Sequence, residues 1–323
     1  MTIVDAYAHV GLPRFISADD YRVLMTEANI DAAVLVAFGA CADLRRIHSA
    51  ANACPERFRA IGVPLGRDRW EVESFVSAQL TAGFAGIRVE PRHIREQPWI
   101  LDLIWRHDGF AYAVGDLSAE AESTALLRAL DKGERRLVVA PHMAGCGRGR
   151  AEEPSGAWDE LLGHERFAVI MSRQGAYPAA AAASWAEILI ARVGWRRLMW
   201  GSEVPVLFWR DESLADALHW YDRLTPDPER RRAFLAANAT RLVFERPVDM
   251  RPLQLPFEPV TRQDAAPVPL FPGGQSFAPE TVGRLVHDWL SSGGPSQTNL
   301  SGHIERLLSK ILGMEYTNED HAS

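Results

Sequence analysis

The sequence predicts a (β/α)8 barrel of the TIM type, followed by a proline-rich linker and a small helical C-terminal extension. Three observations predict it. Eight short apolar runs recur between residues 2 and 203: TIVDAYAHV, DAAVLVAF, FRAIGVPL, FAGIRVE, FAYAVGD, RLVVAPH, FAVIMSR and LMWGSE. Each is bounded by glycine, proline or charge, as strands buried on both faces are. Stretches at helical spacing separate them, and eight such alternations suit a closed barrel. A doubly wound open sheet is the alternative, weakened because no glycine fingerprint follows the first run. The length, 323 residues, accommodates one barrel of about 250 residues plus an appendage.

The helices between the runs have their own signals. Ser17 with Asp20 three residues on forms a capping-box pattern ahead of YRVLMTEANI, Trp70 to Ala82 carries apolar residues at helical spacing, and Ala119 to Leu130 is rich in helix formers. After the eighth run, Asp211 to Leu224 and Pro228 to Asn238 read as closing helices. We assign residues 1–245 to the barrel. Prolines are dense and apolar periodicity vanishes over 246–274, the signature of a linker. Within 275–323, Pro279 to Ser291 and His303 to Leu312 read as two amphipathic helices, too few to build a core alone and therefore expected to dock on something.

Composition narrows the function classes. A net charge of −7 argues against a general attraction to nucleic acid or anionic membrane, and no apolar run approaches a membrane span. Met1 leads straight into a strand-like run, so a cytoplasmic protein is expected. Three cysteines without a CxxC pair suggest neither a disulfide framework nor a cysteine zinc site; Cys146, in the basic loop GCGRGR, is the one with a setting for a reactive thiol. The commoner signatures of serine hydrolases, P-loop proteins and zincins are missing.

Chemistry in a barrel gathers at the C-terminal ends of the strands. The first run ends in Asp5-Ala6-Tyr7-Ala8-His9, and strand alternation would send Asp5, Tyr7 and His9 to one face. The fourth places Arg88 and Glu90 together, where a guanidinium inside a barrel must find either that acid or a bound carboxylate. His142 follows the sixth run and is a proton carrier or ligand at the rim. Asp116, ending the fifth run, is a further candidate lining carboxylate, and the seventh run contributes Ser172, Arg173 and Gln174. The eighth delivers Glu203 through Trp200-Gly201-Ser202, with Trp200 as a candidate pocket wall. The candidate catalytic groups are His9, His142 and Glu203; the candidate substrate-binding groups are Tyr7, Arg88, Arg173 and Trp200.

These motifs resemble the amidohydrolase superfamily, in its branch of lactonase-like and decarboxylase-like proteins. VDAYAHVG stands where that family has D-x-H-x-H, VVAPHMAG where it has His-x-x-Gly, MWGSEVP where it has W-G-S-D-x-P, and ANATRLVF where it has N-A-x-R-L. GIRVE fits its fourth strand, and the resemblance covers roughly residues 1–245. It implies a barrel whose strand-one and strand-six histidines and strand-eight acid bind a divalent metal or, in some lactonases, work without one. Here Tyr7 replaces a histidine and Glu203 an aspartate, so the resemblance implies no cofactor or a weakly bound divalent metal, zinc foremost, on His9, His142 and Glu203. The tail, PLFPGGQSFAPETVGRLVHDWLSSGGPSQTNLSGHIERLLSKILGMEYT, resembles the N-terminal segment of the sugar aminotransferases that use pyridoxal phosphate, without the part that holds the cofactor.

The expected function is hydrolysis of a small carboxylated lactone, cyclic amide or related C–O or C–N bond, with Glu203 as general base. Its partner is a small molecule. The alternatives are a non-hydrolytic lyase such as a decarboxylase, or a catalytically altered barrel acting as a binding or scaffold subunit. In that last case the C-terminal helices would serve as an arm for a homo-oligomer or an aminotransferase-like partner.

Overall fold

The structure, a computed structural model, describes residues 2–12, 14–39, 43–145, 153–224, 227–259, 268–269 and 276–312. Cys41 and Cys146 lie outside the described residues. All eight apolar runs form strands: β1 Val4–Ala8, β2 Ala32–Val36, β3 Phe58–Gly62, β4 Gly86–Val89, β5 Phe110–Ala113, β6 Val138–Ala140, β7 Phe167–Met171 and β8 Leu198–Trp200. They pair in parallel in sequence order, the arrangement of a (β/α)8 barrel. The chain just beyond β8 then closes the ring on β1, where Glu203 N–H donates to Tyr7 O at 2.8 Å and His9 N–H to Val204 O at 2.7 Å.

That closure depends on a glycine. A Cβ on Gly201 would stand 2.9 Å from Tyr7 Cβ and 2.7 Å from Ile170 Cγ2, so only glycine lets the two segments approach this closely. Behind the contact sits Asp5, fully buried. Its carboxylate accepts from Tyr21 Oη (2.6 Å), Ser202 N–H (2.9 Å), Tyr7 N–H (3.0 Å) and the Ser202 hydroxyl. Four donors on one carboxyl tie β1, the first helix and the β8 exit together. Asp5→Ala strands those donors in a dry interior, and we expect a loss of about 3 kcal/mol of unfolding free energy, read by urea denaturation; a loss below about 1 kcal/mol would mean that the network is not a closure device.

Asp5 therefore does not share a face with Tyr7 and His9, contrary to simple alternation. A bulge is the reason: Asp5 pairs with Ala33 but Ala8 with Leu35, three residues of β1 against two of β2. The extra residue turns Asp5 toward the helical layer and leaves Tyr7 facing inward. The barrel interior is filled by side chains such as Val34, Ile61, Tyr112 and Met199, with Tyr112 Oη donating to Ala6 O at 2.8 Å.

The helices form where their signals stand. Ala18–Glu27 begins with a capping box in which Ser17 and Asp20 satisfy each other's backbone. Arg69–Thr81 and Glu120–Asp131 follow β3 and β5. The segments Pro228–Arg232, Ala233–Ala237 and Thr240–Phe244 bring Ala236, Ala239 and Val243 against the inward-facing cluster. From 246 to 259 the chain carries no helix or strand and lies along the outside of the barrel: Arg251 N–H donates to Ala82 O at 3.2 Å, and Phe257 stacks on Phe75 at 4.7 Å. The extension supplies helices Pro279–Ser291 and Leu300–Leu312, whose Val282, Val286, Trp289 and Leu300 are buried in the layer outside the strands. Among the described residues no helix is long and apolar enough to cross a membrane.

Candidate active site

Tyr7, His9, His142, Arg173 and Glu203 converge at the C-terminal mouth of the barrel. Tyr7 lies between the two imidazoles, its ring edge-on to His9 at 5.0 Å and to His142 at 4.7 Å. His142 Nε2 stands 3.6 Å from Glu203 Oε1, and Arg173 Nε 3.8 Å from the same oxygen. Much of this rim is built in left-handed backbone. Eight described non-glycine residues have positive φ, and five of them are His142, Met143, Ala144, Arg173 and Glu203, at the ends of β6, β7 and β8. Each costs on the order of 1 kcal/mol, so the rest of the fold is holding these side chains in place.

Hydrogen bonds orient the imidazoles. His9 Nδ1 meets Val36 O at 2.7 Å, so that nitrogen carries the proton and Nε2 keeps a lone pair. His142 Nδ1 meets Ser172 Oγ at 3.2 Å, and the same hydroxyl accepts from His142 N–H at 3.0 Å. Burial, helped by Arg88, pushes His9 down to about 4; burial also pushes His142 down to about 3, against the pull of Glu203. Both rings are neutral in the ordinary range. Burial lifts the Tyr7 hydroxyl to about 12, which keeps it a donor.

Glu203 behaves oppositely. Burial alone would raise its carboxyl, but His142, Arg210 and Arg173 hold it down at about 2. Since His142 is neutral above its own low value, the arginines maintain that hold at neutral pH. Arg210 is the stronger, donating from Nη1 to Glu203 Oε2 at 2.9 Å and from Nη2 to Glu212 Oε2 at 3.1 Å. Sequence reading missed Arg210. The signal was the charged stretch Arg210-Asp211-Glu212 directly after an aromatic pair: a carboxylate delivered to a barrel interior must find a cation, and this is the first one along the chain.

Other expected residues divide. Arg88 is buried, 5.0 Å above the Phe38 ring and 3.6 Å from Glu90, with Nε unpartnered; the Tyr7 hydroxyl is likewise buried without a partner. Arg88 also lines a cleft of about 890 Å³ over the ends of β2 to β4, whose far wall includes Phe257 and Glu258. Trp200 does not reach the mouth. Met199 points into the barrel, so the next residue points out, and the Trp200 indole donates to Ala217 O at 3.1 Å within the outer layer. Asp116 bonds to Ser118 in a turn. A wall that composition did not localise comes from Phe15, stacked on His9 at 4.7 Å and on Trp209 at 5.9 Å, with Arg14 over Phe38 and Trp209.

A barrel with this mouth and this strand order meets its counterpart among known families: the amidohydrolase family profile matches residues 3–244. The chain belongs to the amidohydrolase family. No curated protein matches it. Solved structures that resemble it include a candidate 2-pyrone-4,6-dicarboxylic acid hydrolase from Pseudomonas putida, 23% identical with a TM-score of 0.60 over 75% of this chain and 97% of the other. An amidohydrolase from Burkholderia multivorans with bound zinc is 14% identical, TM-score 0.58, over 75% and 99%. A 2,6-dihydroxybenzoate decarboxylase from Rhizobium is 14% identical, TM-score 0.52, over 75% and 97%. At these identities the likeness establishes the shared barrel. Among the described residues no three His, Cys, Asp or Glu side chains gather in a way that could hold a metal ion.

Proposed function

We propose that this amidohydrolase-family chain hydrolyses a C–O or C–N bond in a small carboxylated ring, a lactone or cyclic amide, without a resident metal. The observation that carries the reading is the pairing of an ionised Glu203 Oε1 with the neutral His142 Nε2 at 3.6 Å, beneath cationic and hydroxyl donors. A water bridging them from the side would lose its proton to Glu203 as its oxygen attacks the ring carbonyl, and that proton would pass to the ring oxygen or nitrogen as its bond to the carbonyl carbon breaks. Arg88 and Arg173 suit a substrate carboxylate, and the Tyr7 hydroxyl, protonated and unpartnered, suits the oxygen that gains charge at the scissile carbonyl. His9 Nε2 adds an acceptor on the same side.

The residues do not suit a dication. A tyrosine ring stands between the two imidazoles, and the Glu203 carboxylate beside His142 is already engaged by two guanidiniums. Metal analysis of the purified chain is expected to show well under one equivalent of zinc or manganese, and chelation to leave turnover unchanged; one tightly held ion per chain overturns that part of the reading. Substrate class is tested with a panel of carboxylated lactones, cyclic amides and hydroxybenzoates followed by NMR. Ring-opened acids support the hydrolase. Carbon dioxide release with the ring intact supports the lyase, and no turnover with retained binding supports the scaffold. Arg88→Gln is expected to raise KM tenfold or more with a smaller change in kcat.

A further inference from the structure

The turn between Glu203 and the next helix has two faces. On one, Arg210 holds Glu203 and Glu212, and Trp209 stacks on Phe15 at the mouth. On the other, Phe208 meets the Trp289 ring edge-to-face at 4.9 Å, and Asp211 accepts from Asn299 Nδ2 at 3.0 Å and from Ser301 Oγ at 2.9 Å. Trp289, Asn299 and Ser301 all belong to the C-terminal extension, beyond the residues that the family profile covers.

The turn carries its own backbone bonds, Phe208 N–H to Pro205 O at 3.0 Å and Glu212 N–H to Leu207 O at 3.2 Å, and the extension adds to them from outside. Val206–Arg210 is a single short helical turn that ends with Asp211 in the left-handed region, its N–H donating back to Phe208 O at 3.1 Å. Both side-chain bonds from the extension fall on that residue, and the Ser301 N–H adds a third at 3.4 Å to Oδ1. Trp289 is itself fixed, since its indole donates to Thr298 O at 2.9 Å, so the ring offers Phe208 a rigid seat. The chain has to pass from Phe208 to Asp211 between two anchors on the extension, and Arg210 lies between them.

We propose that the C-terminal extension is a positioning element for the site: Trp289, Asn299 and Ser301 clamp the 206–211 turn and thereby keep Arg210 on Glu203. Among the described residues the Asn299 and Ser301 side chains bond to Asp211 and not to a group at the mouth, so they act through Asp211 and Arg210. The clamp rests on the proposed function only where turnover is concerned; its geometric content is independent of the substrate.

The test uses the full chain with Asn299→Ala and Ser301→Ala combined, with Trp289→Ala as a second variant, and Arg210→Gln as the reference for a released Glu203. Hydrogen exchange of residues 206–211 is expected to speed up about tenfold in the double variant, the effect of losing two partly exposed hydrogen bonds. Two-bond proton–nitrogen NMR of the His142 ring, assigned with His142→Gln, reads the neighbouring carboxylate without substrate. Its Nε2 signal is expected to move toward the Arg210→Gln position while the other histidine rings stay in place. A faster-exchanging turn with an unmoved His142 signal overturns the clamp, as does a turn whose exchange neither variant changes. If the panel has yielded a substrate, kcat should fall with KM little changed and in proportion to the His142 shift. Absence of any substrate would count against the proposed function and leave the NMR result to decide the clamp.

Discussion

Glu203→Gln is expected to lower turnover about a thousandfold while leaving the binding of a small dicarboxylate intact or tighter. Removing a positioned base costs about 10²- to 10⁴-fold. The isosteric amide is the informative change because its oxygen can still accept from Arg210 at the place where Oε2 now sits, 2.9 Å from Nη1. What it cannot do is take a proton. The variant also deletes one negative charge from a mouth that keeps Arg88, Arg173 and Arg210, so an anionic ligand loses a repulsive neighbour. Kinetics and calorimetry with isophthalate as the probe separate the two effects. Full turnover in Glu203→Gln removes Glu203 as the base, and lost isophthalate binding together with a collapsed near-ultraviolet spectrum would instead mark damage to the fold. That damage is expected to be limited, because Arg210 retains Glu212 at 3.1 Å. Glu203→Ala should be worse, since it leaves a buried guanidinium with one partner instead of two.

How far such a site can be read in advance depends on which physical rule governs each residue. The barrel was legible because eight buried parallel strands must be written as eight apolar runs, and the first helix because Ser17 and Asp20 must be spaced to cap it. His9, His142, Arg173 and Glu203 were legible as strand ends. The failures came where a local irregularity overrides a period. One extra residue in β1 reverses the face of Asp5, turning an expected lining group into the buried tie of the barrel seam. Trp200 was read from its neighbourhood to the glycine and not from its parity with Met199. Arg210 and the docking site of the extension were illegible for another reason. Amphipathic spacing in Pro279–Ser291 shows that a face is buried but not against what, and the partner, Phe208, sits in a turn without periodicity.

The folded chain is expected to lose stability as pH falls from about 6.5 toward 3, with the buried histidines responsible for the first part of the loss. His9 and His142 have folded values of about 4 and about 3, both depressed chiefly by burial from an unfolded value of 6.5. Between those limits the unfolded chain binds the proton and the folded chain does not. The contribution of each ring is therefore fully present above about 6.5 and is lost as pH drops. At pH 5 the loss is roughly 2 kcal/mol per ring, at about 1.4 kcal/mol per pH unit. Glu203 runs in a lower window. Its folded value of about 2 lies below the unfolded 4.5, so its contribution is present above 4.5 and disappears as pH falls through 2. Urea denaturation at pH 7.5, 6 and 5 should show wild type losing on the order of 4 kcal/mol from these two rings, and His9→Gln or His142→Gln each losing about 2 kcal/mol less than wild type. A slope remains in each variant from the other ring and from His93, which burial also lowers to about 4. Parallel slopes for wild type and both variants would mean that the rings take up protons in the folded chain over the same pH range as in the unfolded one. Below about 6.5 a protonated His142 would then form an ion pair with Glu203 and occupy the carboxylate on which the proposed water activation depends.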